Sequence, residues 1–452
     1  MRIILLSGGS GKRLWPLSNH TRSKQFLKLL QSPTGQAESM FQRMMRQLRE
    51  TGMAESITIA TSAVQKEIIA HQLGNIPADV VTEPERRDTF PAIALSSAYL
   101  AMEKECGPDE VVVVVPCDPY TEKGYFDTLV KMAAAVETRR ADLVLMGICP
   151  TSPSTKFGYI VPKRNARQED VADVDRFTEK PDEEKAQLLM AEGAFWNGGV
   201  FAFRLGYLMD IVRKYVPAAT FAELHARYGE FPKISFDYEV AEKAQSVAVV
   251  PYRGLWKDLG TWNSLAEELP HPYSGYVLAD ERTEGTCIIN ELNEIPIIGV
   301  GVKNMIVAAS PDGILVCAKE CCEYQKPLVE MIDARPRYEE RRWGHYKVIG
   351  DATCADGGHS ITKQMHMNAG CCTSYHSHRF HEEVWTFADG EGTLVLDGET
   401  VLVKRGMAIS IPAGVRHAVK AQTDMEIIVV EIGEFQEEDV ERYDWNWNVP
   451  VF

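Results

Sequence analysis

The sequence has no run approaching the roughly 20 apolar residues that a helix needs to cross a bilayer, which excludes an ordinary membrane-spanning helix. It has no C-x-x-C pair of the kind that holds structural zinc. Its ten cysteines are scattered, with neighbours only at Cys321-Cys322 and Cys371-Cys372, and a chain of this length is stable without crosslinks. A reduced, cytoplasmic setting is the expectation. Positive charge is in short supply: 48 lysines and arginines face 64 aspartates and glutamates, a net charge of -16. That balance argues against general affinity for nucleic acid or an anionic membrane, so any phosphate ligand must be held in a local basic pocket. The first residues lack a cleavage-site pattern, and no secretory signal is expected. No internal repeat or low-complexity tract stands out. With 452 residues the chain exceeds one ordinary core, which predicts two or three domains.

What is present alternates. "RIILL" (2–6) predicts a buried strand, and "SMFQRMMRQL" (39–48) a helix with Met40, Phe41, Met44, Met45 and Leu48 on its core face. "SITIATS" predicts another strand, and "TFPAIALSSAYLAMEK" a helix with Thr89 near its N-cap and Pro91 in its first turn. "VVVVVPCD" shows no alternation, as in a strand buried on both faces of a parallel sheet. Residues 1–270 thus predict a doubly wound, Rossmann-like α/β domain, whose ligands lie beyond the carboxyl ends of its strands. From 271 to 335 short β-like pieces such as "TCIINE" and "GILVCAK" predict a β-rich connector, and from 336 to 452 alternating segments with turn signals predict a small β-barrel.

The glycine-rich loop "SGGSGKR" opens at the end of the first strand. It is not a Walker A loop, because Arg13 follows Lys12 where Ser or Thr is required, and Leu14 occupies the last glycine position of G-x-G-x-x-G. The longer string "LLSGGSGKRLWPLS...SKQFLKL" resembles the signature of sugar-1-phosphate nucleotidyltransferases, specifically the mannose-1-phosphate guanylyltransferase branch. Collinear stretches extend the resemblance: "EPERRDTFPAIAL", "VVVVPCD", "GICPTSPSTKFGYI", "FTEKPD", "FWNGGVFAF", "ISFDYEVAEK" and "WKDLGTW".

The resemblance implies transfer of a nucleotidyl group from GTP to mannose-1-phosphate. Two anions must be joined, so glycine backbone N–H groups and cations are the appropriate donors. By resemblance, Ser7, Gly8, Gly9 and Gly11 hold the nucleotide, with Arg87, Asp88 and Thr89 beside it. Arg13 and Lys24 supply charge to the triphosphate. Asp118 and Asp258 hold Mg2+, which commonly takes one or two carboxylates plus phosphate oxygens. Lys180 pairs with the sugar phosphate, and Glu179 and Asn197 bond sugar hydroxyls. Gly158 is either a bend or a close approach of the sugar to backbone. Asp88 stands where the branch has Asn, Ser23 where it has Pro and Pro119 where it has His, so the base and the acceptor stay open, CTP with another phosphorylated acceptor included.

Residues 370–390 read G-x5-H-x-H-x4-E-x6-G, and 406–417 read G-x5-P-x-G-x2-H. These are similar to the two cupin motifs, and they supply His376, His378, Glu383 and His417 as ligands for zinc, iron, manganese or nickel. Alternation sets His376 and His378 on one face of a strand. His381 and Glu382 fit the interval less well. Guanylyltransferases of this branch often carry such a cupin as a mannose-6-phosphate isomerase. Here His376 stands at the usual Gln position and "HRFHEE" at the usual H-H-R-A-E core, which counts against isomerisation. A sensor that binds sugar phosphate or metal without turnover is a further reading. The oligomeric state is left open.

Overall fold

The computed structural model describes residues 1–9, 11–53, 56–74, 76–163, 170–292, 294–353, 358–434 and 439–447. The chain divides into two compact units. The first comprises Met1–Ser10, Lys24–Lys66 and Asn75–Pro270, the second Gly11–Ser23, Glu67–Gly74 and His271–Phe452.

The first unit is built on a nine-stranded sheet in the order Asp79–Glu83, Ile57–Ser62, Arg2–Ser7, Val111–Pro116, Phe195–Arg204, Leu143–Ile148, Val247–Tyr252, Ala172–Thr178, Tyr159–Pro162. Arg2–Ser7 and Val111–Pro116 pair in parallel, as expected. Phe195–Arg204, however, runs antiparallel between Val111–Pro116 and Leu143–Ile148. A strand buried on both faces needs the same apolar run whichever way its neighbour points, so the valine run could not report this. The helix Met40–Glu50 buries Met40, Phe41, Met44, Met45 and Leu48, and Ser39 and Gln42 close a capping box at its start. In the helix Thr89–Met102, Thr89 lies next to the N-cap and Pro91 in the first turn, as expected. Asp88 is the N-cap, accepting from the Thr89 amide at 2.7 Å, and the Thr89 hydroxyl accepts from the Phe236 amide at 2.9 Å.

In the second unit, Cys287–Asn290 and Met305–Ser310 pair in parallel, and the hairpin partner Gly313–Ala318 follows. The connector then ends in a 3-10 segment, Lys319–Gln325, and a short helix, Lys326–Glu330, which the β-like pattern does not anticipate. Residues Gly11–Ser23 are built onto this connector. Buried Arg22 sets its guanidinium 2.8 Å from Glu291 and 4.8 Å from the Tyr338 ring centre, and Asn19 donates to Asp312 at 2.7 Å. Beyond it, six-stranded and five-stranded sheets form the barrel, with Met365, Phe387, Leu394, Val419 and Ile427 in its core.

Candidate active site and metal centre

Strand register assembles the first candidate site. Leu6 and Pro116 are partners across a parallel pair, so the loop after Ser7 and the turn at Asp118 leave the same edge of the sheet. Pro119–Thr121 then pairs antiparallel with Trp256–Asp258, and Asp258 faces Pro119. Two carboxylates far apart in sequence become neighbours in this way. The Lys24 ammonium lies 2.9 Å from Asp118 and 2.6 Å from Asp258. Burial alone lowers the Lys24 pKa, but the charges of Asp118 and then Asp258 raise it well above the ordinary lysine range. The cluster leaves no room for a methyl group at Gly260, where a Cβ would sit 2.8 Å from Asp258 Oδ1 and 2.9 Å from Lys24 Nζ. A pair of partly exposed carboxylates held this close to one cation suits a hard divalent ion that takes its other ligands from phosphate and water. Gly260→Ala is accordingly expected to lower turnover by about 10-fold or more, since misplacement of reacting groups by about 1 Å can cost ~100-fold. Steady-state rates at an unchanged melting midpoint check this.

Asp118 lines two cavities. One, of about 410 Å³, is walled by Gly8, Gly9, Glu83, Arg87, Asp88 and Thr89. The other, of about 200 Å³, is walled by Phe157, Asn197, Trp256 and Asp258. In the first, Gln25 and Gln65 donate to the carbonyls of Gly8 and Gly9, and Ser7 is buried behind them. Arg87 donates to Glu85 and to the Phe231 carbonyl. Asp88 has φ 73° and ψ -174°, a nearly glycine-only conformation of the kind that persists where surroundings enforce it and that clusters at ligand sites. The sequence does not single out Glu83. It is buried, takes the Tyr228 hydroxyl at 2.6 Å, and has its pKa raised by burial to about 7.

Asn197 lines the second cavity, and Gly158, Glu179 and Lys180 cluster with it. The Asn197 amide donates to the Gly158 carbonyl at 2.8 Å, and Lys180 pairs with Glu179 at 2.8 Å. Gly158 has its own reason: a Cβ there would lie 2.4 Å from Glu179 Oε2. Asp237, unremarked in "ISFDYEVAEK", accepts from the Asn197 side chain, and burial followed by the charge of Glu179 raises its pKa to about 6. Gly11 and Arg13 belong to the second unit. Gly11 adopts φ 68°, and a Cβ would strike the Asn19 carbonyl. Arg13 is exposed in the turn Lys12–Leu14, its carbonyl accepting from Gln325 at 2.5 Å.

In the barrel, His376 and His417 face each other across an antiparallel pair, and the turn at Pro412 brings the Gly414 amide 2.6 Å from the His378 carbonyl. One ring nitrogen from each of His376, His378 and His417 falls within 4.8 Å of the others. His376 Nδ1 lies 2.7 Å from the Ser374 carbonyl and His417 Nδ1 3.0 Å from the Val415 carbonyl, so each of these nitrogens carries a proton. Glu383 Oε2 is 3.0 Å from His417 Nε2 and accepts from the Trp385 indole at 2.9 Å. The N, N, N, O donor set of His376, His378, His417 and Glu383 fits a transition metal or zinc. Burial, then the charge of His417, lowers the His376 pKa to about 3, and burial lowers that of His378 to about 4, so both are neutral at pH 7. His381 is buried beside them, 3.4 Å from Asp439 and 3.9 Å from Glu383. The ligands open on a cavity of about 360 Å³ that Arg341, Arg342, Lys363 and Arg442 also line. Lys363 pairs with Glu431. Asp439, Glu431 and Lys363 lie outside both cupin motifs and are not singled out by the sequence, whereas His381 lies inside the first motif but off its ligand spacing and so ranks low.

Residues 2–272 match the family described as nucleotidyl transferase, and residues 363–433 match the cupin domain. This chain belongs to the nucleotidyl transferase family. It is an enzyme of that family carrying a C-terminal cupin. It is 30% identical to the alginate biosynthesis protein AlgA of Pseudomonas putida, over 98% of this chain and 95% of that protein. It is 31% identical to the xanthan biosynthesis protein XanB of Xanthomonas campestris (98% and 97% covered), and 30% identical to mannose-1-phosphate guanylyltransferase of Escherichia coli (96% of each). Among solved structures, a mannose-1-phosphate geranyltransferase from Thermus thermophilus superposes with a TM-score of 0.60 at 28% identity, covering 74% of this chain and 99% of that one. No helix among the described residues is long and apolar enough to cross a membrane.

Proposed function

We propose that the enzyme joins GTP to mannose-1-phosphate, releasing pyrophosphate and GDP-mannose. The observation that carries this reading is the place of Asp118 on the walls of both cavities, with Asp258 and Lys24 beside it. Two phosphorylated reactants held in adjoining cavities meet at that carboxylate. The names of the relatives in Escherichia coli, Pseudomonas and Xanthomonas point to the same substrate and to supply of a polysaccharide pathway.

A phosphate oxygen of the sugar attacks the α-phosphorus in line, the new P–O bond forming as the bond to pyrophosphate breaks. Amides of the Ser7–Gly9 loop cradle the nucleotide, and Lys24 offsets charge on the triphosphate. Lys180 takes the sugar phosphate, while Glu179 and Asn197, the latter fixed by Asp237, orient the ring. Asp118 and Asp258 would hold Mg2+, which when bound neutralises phosphate charge. Glu83 supports guanine: a buried carboxylate accepts from the N1–H and N2–H donors of that base, where adenine and cytosine present an acceptor. With its pKa near 7, the Michaelis constant for GTP should fall as pH rises from 6 to 8 and the carboxyl ionises. Glu83→Gln should abolish that pH dependence and lower kcat/KM for GTP by about 100-fold, since mispaired buried polar groups discriminate strongly.

A pyrophosphate-release screen crossing the four common nucleoside triphosphates with several sugar-1-phosphates in magnesium tests the reading. GTP with mannose-1-phosphate should lead. A clear win for another pair would change base or acceptor, and silence in every well would leave the sensor.

A second reading concerns the division into residues 1–270, 271–335 and 336–452, with a separate activity in the last. The cations around the barrel cavity favour a phosphorylated sugar there, beside a metal held by His376, His378, Glu383 and His417. An isomerase assay with mannose-6-phosphate tests it, and no turnover with metal loaded would reject it.

A further inference from the structure

The inward face of the barrel carries a second group of metal donors beside the three histidines. On strand His381–Asp389, His381 and Glu383 are two residues apart and lie on one face. Glu431 stands directly opposite Glu383 on the antiparallel strand Met425–Gly433. One ligand atom from each of His381, Glu383 and Glu431 falls within 4.8 Å of the others, and all three side chains are buried. Like charges directly opposite across a strand pair repel, and burial removes the water that would screen them. A cation between Glu383 and Glu431 offsets that repulsion.

Three further contacts aim this group at an ion. Asp439, itself held by the Arg379 and Phe380 amides at 2.9 and 3.0 Å, lies 3.4 Å from His381 Nδ1. It thereby orients the ring with Nε2 toward Glu383 Oε1, 3.9 Å away. The two Glu383 oxygens face different partners: Oε2 is 3.0 Å from His417 Nε2, whereas Oε1 faces His378 Nε2 at 3.6 Å as well as His381. A carboxylate so placed can serve two ions. Finally, Lys363 sets its ammonium on Glu431, which marks a place where the fold already puts positive charge, while Glu383 pairs only with histidines among the described residues.

We propose that the barrel binds a second divalent transition-metal ion at His381, Glu383 and Glu431, with Glu383 shared between it and the ion at His376, His378 and His417. The proposal rests on the first ion placed above at the four-residue set. Imidazole and carboxylate donors suit the same group of metals, with water completing the coordination. Asp439 acts on the ion through His381, as a positioning residue. Lys363 is the competing cation that the second ion displaces from Glu431, so the second ion is held more weakly than the first.

The test uses the full chain, stripped of metal by chelation and titrated with cobalt(II) in excess magnesium, so that Asp118 and Asp258 stay filled with the harder ion. Bound cobalt is counted after dialysis, with far-UV circular dichroism as the check on folding. The parent should take two cobalt ions per chain, and His381→Ala or Glu431→Gln only one. Lys363→Met should tighten the second ion by about 10-fold or more, because it removes the competing ammonium and leaves a buried carboxylate unpaired. Asp439→Asn should weaken it by about 10- to 100-fold, the cost of losing the partner that orients a ligand. The paramagnetic resonance signal per cobalt should drop as the second ion enters, since ions in paired sites lie about 3.5–4 Å apart and couple. One ion per chain, lost in His417→Ala, would overturn the second site and keep the first. One ion that survives His417→Ala and disappears in His381→Ala would overturn the two-ion count by sinking the first set instead. Two ions in both His381→Ala and Glu431→Gln, or a second ion held no tighter in Lys363→Met, would also overturn the proposal.

Discussion

Asp258→Asn is expected to lower turnover by about 100- to 1000-fold while leaving the melting midpoint within a few degrees of the parent, the scale seen when one preorganised electrostatic group is removed from a transition state. The side chain is isosteric and about one-third exposed, so little packing changes. What changes is charge. Lys24 keeps Asp118 at 2.9 Å but loses its nearer partner, and the pair of carboxylates that fits a divalent ion becomes a single one. Raising magnesium should recover part of the loss in Asp258→Asn and none in Gly260→Ala, where the carboxylate is present but displaced. Pyrophosphate release at saturating substrates checks the rate, and a parental rate would remove Asp258 from the site.

Glu383→Gln should cut metal affinity at the barrel by about 100-fold or more and leave nucleotidyl transfer at the parental rate. Losing even an outer partner of a metal ligand costs about 10- to 100-fold, and Glu383 is the one anionic donor in the four-residue set. The amide still accepts from the Trp385 indole, so the strand His381–Asp389 keeps that anchor. Metal content after dialysis, read against far-UV circular dichroism, separates loss of the ion from loss of the fold. Retention of one ion per chain would mean that the three histidines suffice; loss of transfer together with the metal would mean that the two activities are coupled.

Much of both sites is legible because sequence spacing and tertiary neighbourhood coincide. His376 and His378 sit two residues apart at one short strand, and Glu383 and His417 follow at intervals fixed by strand and turn lengths. Gly8 and Gly9 follow directly on the strand Arg2–Ser7, at the strand end where the ligands of such sheets lie. The residues that spacing misses or ranks low act through contacts it does not encode. Glu83 matters because Tyr228 and the cavity wall bury it, Asp237 because Asn197 reaches it, and His381 because Asp439 comes back beside it from near the end of the described chain. Asp88 illustrates the reverse: the sequence draws attention to its side chain beside the nucleotide, but its backbone, at φ 73° and ψ -174°, is held in a conformation that glycine takes far more readily.

The order of the nucleotidyl transferase and cupin segments, the strand-end loops and the helix faces were decided by sequence alone, because local periodicity, motif spacing and turn chemistry are properties of neighbouring residues. The antiparallel insertion of Phe195–Arg204 was decided only in three dimensions, as was the meeting of Asp118 with Asp258 through a two-stranded pairing. Strand direction and register are set by which distant segment completes the backbone hydrogen bonds, and an apolar run satisfies that demand equally well with either neighbour.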